Sequence, residues 1–232
     1  MKILAIESSA KTAGAAISCD GVLVAEFNLS TGLTHSETLM PLVDSVLKMA
    51  KVDIEDIDAV AVSNGPGSFT GLRIGLGTAK GLAMGVGAKT VGVSTLLALA
   101  HNILPTDSII LPIMDARRGE VYNGVYKYSD GGIVTIKDAR ALPLLQLLDE
   151  FKGENVIFVG DAVPPYRDVI IEKMGKRAAF APEHLVLQRA GSVAKAAQNL
   201  PLIPAQELVP VYIRKPQAER ELEEKMKNQD KE

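Results

Sequence analysis

The chain has 232 residues, 47% of them hydrophobic, 23% charged and 4% aromatic, with no tryptophan and a formal net charge of −3. At about 150 residues per domain this is one large domain or two small ones, and either is long enough to bury a core. A chain that binds nucleic acid on its own usually carries excess positive charge, so this balance leaves phosphate contacts to a local patch or a partner.

A single cysteine, Cys19, excludes an internal disulfide and a zinc–thiolate cluster, and reads as a buried thiol in a reducing compartment. The opening MKILAIESS reaches Glu7 after a short apolar run, so no signal peptide is expected. The longest uncharged stretch, Thr90 to Thr106, contains His101, Asn102 and Pro105 and falls short of a membrane span. The expectation is a cytoplasmic globular protein with no membrane contact.

In chain order, KILAIE and GAAISC read as strands, and Asp20-Gly21 as a tight turn into a third, VLVAEFNLS. A helix is predicted from about Ser36 to Ala50, opened by a capping box of Thr34 and Glu37. DAVAVS is a buried-type strand, NGPGSFTGLR leads into a helix reaching about Met84, TVGVS is a strand and TLLALAHNIL a helix. The second half repeats this order. SIILPIMD, EVYNGVYKY and IVTIK are strands, the last two joined at Gly131-Gly132. PLLQLLDEF is a helix, VIFVG a strand, PPYRDVIIEKMG a helix opened by proline, AAFA a short strand and SVAKAAQNL a helix.

No residue-level identity links the halves, but the repeated order implies two similar α/β lobes with a cleft between them. Each would be a mixed sheet with helices on its faces. The expected boundaries are 1–104, 105–215 and a tail at 216–232. That tail carries 10 charged side chains, 6 acidic and 4 basic, and reads as a solvated helix end or frayed terminus.

Gly65, Pro66 and Gly67 lie where a buried strand gives way to a helix. Exposed amides there suit a phosphate or carboxylate, while a tight turn needing glycine explains the same residues. The segment lacks the Gly-Lys-Ser/Thr of a Walker A loop. In the helix that follows, Gly71, Gly75, Gly77, Gly81 and Gly85 fall within about 160° of arc, at a cost of about 1 kcal/mol each. Close approach by a neighbour offsets such a cost, and that neighbour is either inside the chain or a partner.

The preceding helix carries Leu39, Met40, Leu42, Val43, Val46, Leu47, Met49 and Ala50 over about 180°, wider than the roughly 100° stripe that one core requires. A second contact surface, or a position wedged between sheet and neighbouring helix, explains the surplus. Glu7 and Asp115 end corresponding strands in the two halves; facing a cleft, they suit a metal–nucleotide complex or a base, and both also suit turn formation. His35, His101 and His184 are dispersed, and His35 has Leu39 four residues on, so a His-x-x-x-His metal pair is absent. Arg117 and Arg118 form a small basic spot for phosphate, an acidic partner or a loop cap.

The segments ILAIESS, THSETLMPLV, SNGPGSFTGLRIGLGTAKGLA, DARRGEVYNGVY and PVYIRKP, in this order and up to about Pro216, resemble the bacterial TsaB family of tRNA threonylcarbamoyladenosine biosynthesis proteins. The resemblance implies two actin-like (ribonuclease H-like) lobes. It also implies a non-catalytic subunit that docks to and activates a TsaD-type catalytic relative, with a TsaE-type ATPase. ATP-Mg and threonylcarbamoyl-adenylate would be used by the complex, tRNA would be met through it, and no intrinsic cofactor, metal or catalytic residue is expected here.

Pairing in that family runs through N-terminal-lobe helices. The expected interface residues are therefore His35, Leu39, Leu42, Val43, Val46, Leu72, Gly75, Leu76 and Gly81, on a face expected to self-associate when the chain is alone. Glu7, Gly65, Gly67 and Asp115 would line a degenerate phosphate or nucleotide cleft. Two rival readings are an actin-like ATP-dependent phosphotransferase using Glu7 or Asp115, and a metallopeptidase, against which the missing histidine pair argues.

Overall fold

The computed structural model describes residues 1–129 and 131–214; the expected charged tail at 216–232 lies outside the described residues. Five strands form the first sheet: β1 (Lys2–Glu7), β2 (Ala13–Cys19), β3 (Val22–Leu29), β4 (Ala59–Gly65) and β5 (Lys89–Ser94), in the order β3-β2-β1-β4-β5. The first three form an antiparallel meander, and β4 and β5 add in parallel. Asp20 and Gly21 supply the two left-handed residues that the β2–β3 turn requires, with φ of 48° and 83°.

Alternation along these strands separates two faces of different texture. Leu4, Ile6, Ile17, Val60 and Val62 face one side, where α1 (His35–Ala50) and α2 (Phe69–Val86) pack on them. The other side presents small residues, Ala5, Ala16, Ala59 and Ala61, beside Ile3, Val91 and Val93. The Thr34 amide donates to the Glu37 carboxylate at 3.3 Å, as the capping box predicts, and the same contact together with the Thr34 hydroxyl holds the Glu37 carboxyl below its ordinary range. Ser68 caps α2, its hydroxyl accepting from the Gly71 amide at 3.2 Å.

The second sheet comprises β6 (Ile109–Asp115), β7 (Glu120–Ser129), β8 (Gly132–Pro143), β9 (Val156–Val159) and β10 (Ala178–Phe180). Its order, β8-β7-β6-β9-β10, repeats that of the first, so the duplication read from element order holds in space. Helices α4 (Leu144–Glu150) and α5 (Val163–Met174) bury Leu144, Leu147, Leu148 and Ile170 against Leu111, Ile113 and Phe158. Strand β8 runs well beyond the predicted IVTIK, paired with β7 through two irregularities that keep it in register as far as Pro143.

Each lobe lends a helix to the other. Helix α3 (Thr95–Ala100) is shorter than predicted and sets Leu96, Leu99 and Ala100 against Ile110 and Met114 of the second sheet. It stops because Asn102 turns inward: its amide donates to the carbonyls of Leu185 and Leu187, at 2.7 and 2.8 Å, and its carbonyl accepts from the Ser192 hydroxyl at 2.5 Å.

The segment from α6 (Ala190–Ala197) onward was expected in a second lobe over 105–215; it packs instead on the small-residue face of the first sheet. Ala190, Ala194, Ala196 and Ala197 meet Ala5, Ala16, Ala59 and Ala61 there, and two alanine-lined surfaces permit the close approach. Ile203 then pairs with Thr90 at the free edge of β5, and Leu208 enters the first core. Among the described residues no helix is long and apolar enough to cross a membrane.

Candidate partner-binding helices and the interlobe cleft

The end of β1 is a hub joining helices to cleft. Ser8 donates its hydroxyl to the Gly71 carbonyl at 2.9 Å, the Ser68 amide donates to the Ser9 carbonyl at 2.6 Å, and His35 Nε2 lies 2.7 Å from the Ala10 carbonyl. A Cβ on Gly67 would stand 2.3 Å from the Ser9 oxygen; on Gly71, 2.1 Å from the Ser8 oxygen; on Gly75, 2.1 Å from Ser8 Oγ. These three glycines therefore exist for close packing against residues 8–9. Gly67 still lines the cleft, but its missing side chain is explained by Ser9 rather than by a phosphate.

The remaining α2 glycines do something different. Gly77, Gly81 and Gly85, four residues apart, would place a Cβ with nothing among the described residues within 4 Å. They form an open row on the outer side of the helix, beside exposed Arg73 and Met84.

Most of the expected interface residues point the other way. Leu39, Val43, Val46, Leu72 and Leu76 are core residues, and Leu42 is half-buried against the same cluster. Gly75 faces Ser8, and half-buried His35 is held by Ala10, so of the expected set Gly81 alone lies on open surface. The reason is geometric. The broad apolar arc of α1 divides into a buried stripe on the sheet and a flank, Leu42, Leu47 and Ala50, wedged toward its neighbours. Met40 and Met49 are what remains exposed, with Leu33 just before the helix.

Between the lobes lies a cavity of about 530 Å³ whose walls include Ser9, Lys11, Gly67, Thr70, Asp115, Arg117, Asp161 and Arg214. Glu7 does not line it. Its carboxylate is wholly buried and accepts from the Ser9 amide at 2.6 Å, the Ser9 hydroxyl at 2.5 Å and the Ser63 hydroxyl. Burial raises its proton affinity above that of a free carboxyl, partly opposed by those hydrogen bonds. Glu7 is thus a structural tie between β1 and β4, too enclosed to hold a metal–nucleotide complex.

Asp115 does line the cavity and also shapes the β6–β7 turn, accepting from the Arg117 amide at 2.8 Å. Arg117 and Arg118 hold left-handed backbone, φ 66° and 56°, ahead of Gly119. Asp161, just beyond β9, was not read from the sequence as a cleft residue. Burial raises its proton affinity, with the neighbouring Asp115 charge adding to the effect.

A strap from the C-terminal end spans the cleft. Val211 donates its amide to the Asn64 carbonyl at 2.7 Å, and its own carbonyl fills the space beside Gly65, 2.2 Å from where a Cβ would stand. Gly65 is therefore closed off by the chain itself. The Tyr212 ring stacks on Phe69 with centroids 4.7 Å apart, and Arg73 lies 3.8 Å over the same Phe69 ring. Across the gap Arg214 pairs with Glu120 and donates to the Ala116 carbonyl at 3.3 Å. Val211, Tyr212 and Arg214 thereby tie the end of β4 and the start of α2 to the β6–β7 turn.

Among the described residues no three His, Cys, Asp or Glu side chains converge as a metal site. In the position that a helix-borne histidine pair would need, Leu39 is buried in the core.

A family model described as TsaD, tRNA N6-adenosine threonylcarbamoyltransferase, matches residues 30–222. The tRNA threonylcarbamoyladenosine biosynthesis protein TsaB of Bacillus subtilis is 33% identical over 222 residues, covering 94% of this chain and 96% of that one. The solved YeaZ structure from Pseudomonas aeruginosa superposes with a TM-score of 0.77 at 26% identity, covering 91% of this chain and 99% of that chain. A ROK hexokinase from Thermus thermophilus, at 12% identity and TM-score 0.51, shares the fold alone, the two-lobed actin-like one. With a full-length match at this identity, the chain belongs to the TsaB family, within the wider family that the transferase model describes.

Proposed function

We propose that the chain is a non-catalytic partner subunit for formation of N6-threonylcarbamoyladenosine beside the tRNA anticodon, docking through α1 and α2 to a TsaD-type catalytic subunit that works with a TsaE-type ATPase. The family supplies the pathway, since its Bacillus subtilis and Escherichia coli members carry threonylcarbamoyladenosine biosynthesis in their names. The observation that carries the docking role is the open row of Gly77, Gly81 and Gly85. Among the described residues nothing packs on them, and they cost the helix stability, so a surface that lets another backbone approach closely is their physical use. The enclosed Glu7 carboxylate and the strapped cleft support a partner role over an ATP-dependent phosphotransferase.

Nearly balanced charge fits a subunit that meets tRNA through its partner, with ATP-Mg and threonylcarbamoyl-adenylate handled by the assembled complex. Reconstitution tests the proposal directly: purified TsaD-type and TsaE-type subunits, tRNA, ATP and threonylcarbamoyl-adenylate are mixed with and without this chain. Modification is expected only when the chain is present, and undiminished modification in its absence refutes the role.

A further inference from the structure

Arg73 stands where helix α2 meets the strap. It is exposed, one turn before Gly77, and at 100° per residue Arg73, Gly77 and Met84 fall within about 40° of one another on the outer side of the helix. Its guanidinium is nevertheless held in place. One face lies 3.8 Å over the Phe69 ring, Nε donates to the Tyr212 hydroxyl at 3.3 Å, and Tyr212 itself stacks on Phe69. A surface arginine ordinarily loses side-chain freedom when it is bound; here a ring and a hydroxyl have fixed the planar group beforehand.

Those contacts leave the charge without a counterpart. Among the described residues the hydrogen bond to Tyr212 is the only one Arg73 makes, and no carboxylate pairs with it. The α2 sequence, FTGLRIGLGTAKGLAMGV, holds two cations, Arg73 and Lys80, and no acidic residue. Lys80 donates to the Gln206 carbonyl at 3.5 Å, which leaves its charge unmatched too. Arg73 follows the first turn of α2, close to the positive end of the helix dipole, so side chain and dipole favour the same guest, an anion.

We infer that Arg73 is the anchor of the docking face, receiving an Asp or Glu carboxylate of the TsaD-type partner on its two terminal nitrogens, one helical turn from where the partner backbone meets Gly77. This anchor rests on docking through α2 and adds the chemistry of the element that docks: an acidic side chain next to a stretch that comes close to the glycines. A carboxylate takes the free edge of the guanidinium bidentately and leaves Nε on Tyr212 and the face on Phe69. Docking and the strap then reinforce each other, each holding the group that the other needs. A second copy pairing α2 on α2 is a poorer occupant, because it sets Arg73 and Lys80 against the same two cations.

Calorimetric titration of the full chain with the TsaD-type subunit tests the anchor. Arg73→Met, which keeps an apolar contact on Phe69 without the charge, is expected to weaken pairing at least about tenfold at low salt, with the deficit shrinking as salt screens the missing ion pair. Arg73→Lys keeps the charge but not the planar fork, and is expected to recover only part of the loss. Tyr212→Phe keeps the ring stack without the hydroxyl, and is expected to weaken pairing about threefold, because Arg73 is then less well placed beforehand. Unchanged affinity in Arg73→Met, or a deficit of the same size at low and high salt, overturns the anchor and leaves docking through α2 standing. A chain that does not pair at all overturns the docking itself, and the anchor with it. Sedimentation of the chain alone tests the other occupant: self-association that Arg73→Met weakens, with affinity for the TsaD-type subunit unchanged, gives the residue to a second copy and overturns the partner assignment.

Discussion

Replacing Gly77, Gly81 and Gly85 together with alanine separates the stability of the chain from its capacity to pair. Each glycine sits inside α2 with empty space where a methyl group would go, so alanine meets no obstacle among the described residues. The helix gains about 1 kcal/mol per site, roughly 3 in all. At about 2–4 °C per kcal/mol for a chain of this size, the melting temperature should rise by roughly 6–12 °C. If a partner helix lies against this row, three new methyl groups hold the backbones apart, and calorimetric titration with the TsaD-type subunit should show affinity falling by at least ~10-fold. A higher melting temperature with unchanged affinity would refute the docking face, and an unchanged melting temperature would refute the open geometry. Gly75→Ala is the control of opposite sign: its methyl meets Ser8 Oγ, and destabilisation of about 1–3 kcal/mol is expected.

The raised Glu7 carboxyl predicts a pH dependence. Between the unfolded value near 4.5 and the higher folded value the native state binds more protons, so its contribution to stability falls as pH rises through that window. Glu7→Gln should flatten this part of the profile in urea melts at a series of pH values; an identical profile contradicts the assignment. For the strap, Tyr212→Ala with Arg214→Ala removes a ring stack and a partly buried ion pair, together worth about 1–2.5 kcal/mol. Exchange of the Val211 amide with deuterium should then speed up by roughly 5- to 70-fold, and an unaltered rate would mean that the strap is held elsewhere.

The repeated strand and helix order was legible because it is local: alternation in KILAIE, the Asp20-Gly21 turn and the Thr34–Glu37 box are each contained within a few residues. The meaning of the glycines was legible only in part. A helical wheel gives direction around an axis but does not say which neighbour stands there, so Gly75 and Gly81 looked alike until Ser8 was placed beside one of them. The same limit explains Leu39, Val43 and Val46, where apolar width identified a contact surface but not its owner. The strap and Asp161 were missed for a different reason. Arg73 and Tyr212 are separated by 139 residues, and no periodicity or short motif encodes a pairing over that distance.

The exchange of helices between the lobes fixes an order of completion during synthesis. The first sheet has α1 and α2 on one face as soon as the first hundred residues exist. Its other face has only part of α3, through Ala98, until Ala190–Ala197 arrives, and the edge of β5 stays open until Ile203. At about 5–20 residues per second the ribosome takes roughly 5–20 s to pass from the end of α3 to Leu208, and for that interval the alanine-lined part of the sheet face that α6 covers stays open. The N-terminal lobe is therefore finished by nearly the last described residues to emerge. A chain broken off after the second sheet would lose the first lobe as well.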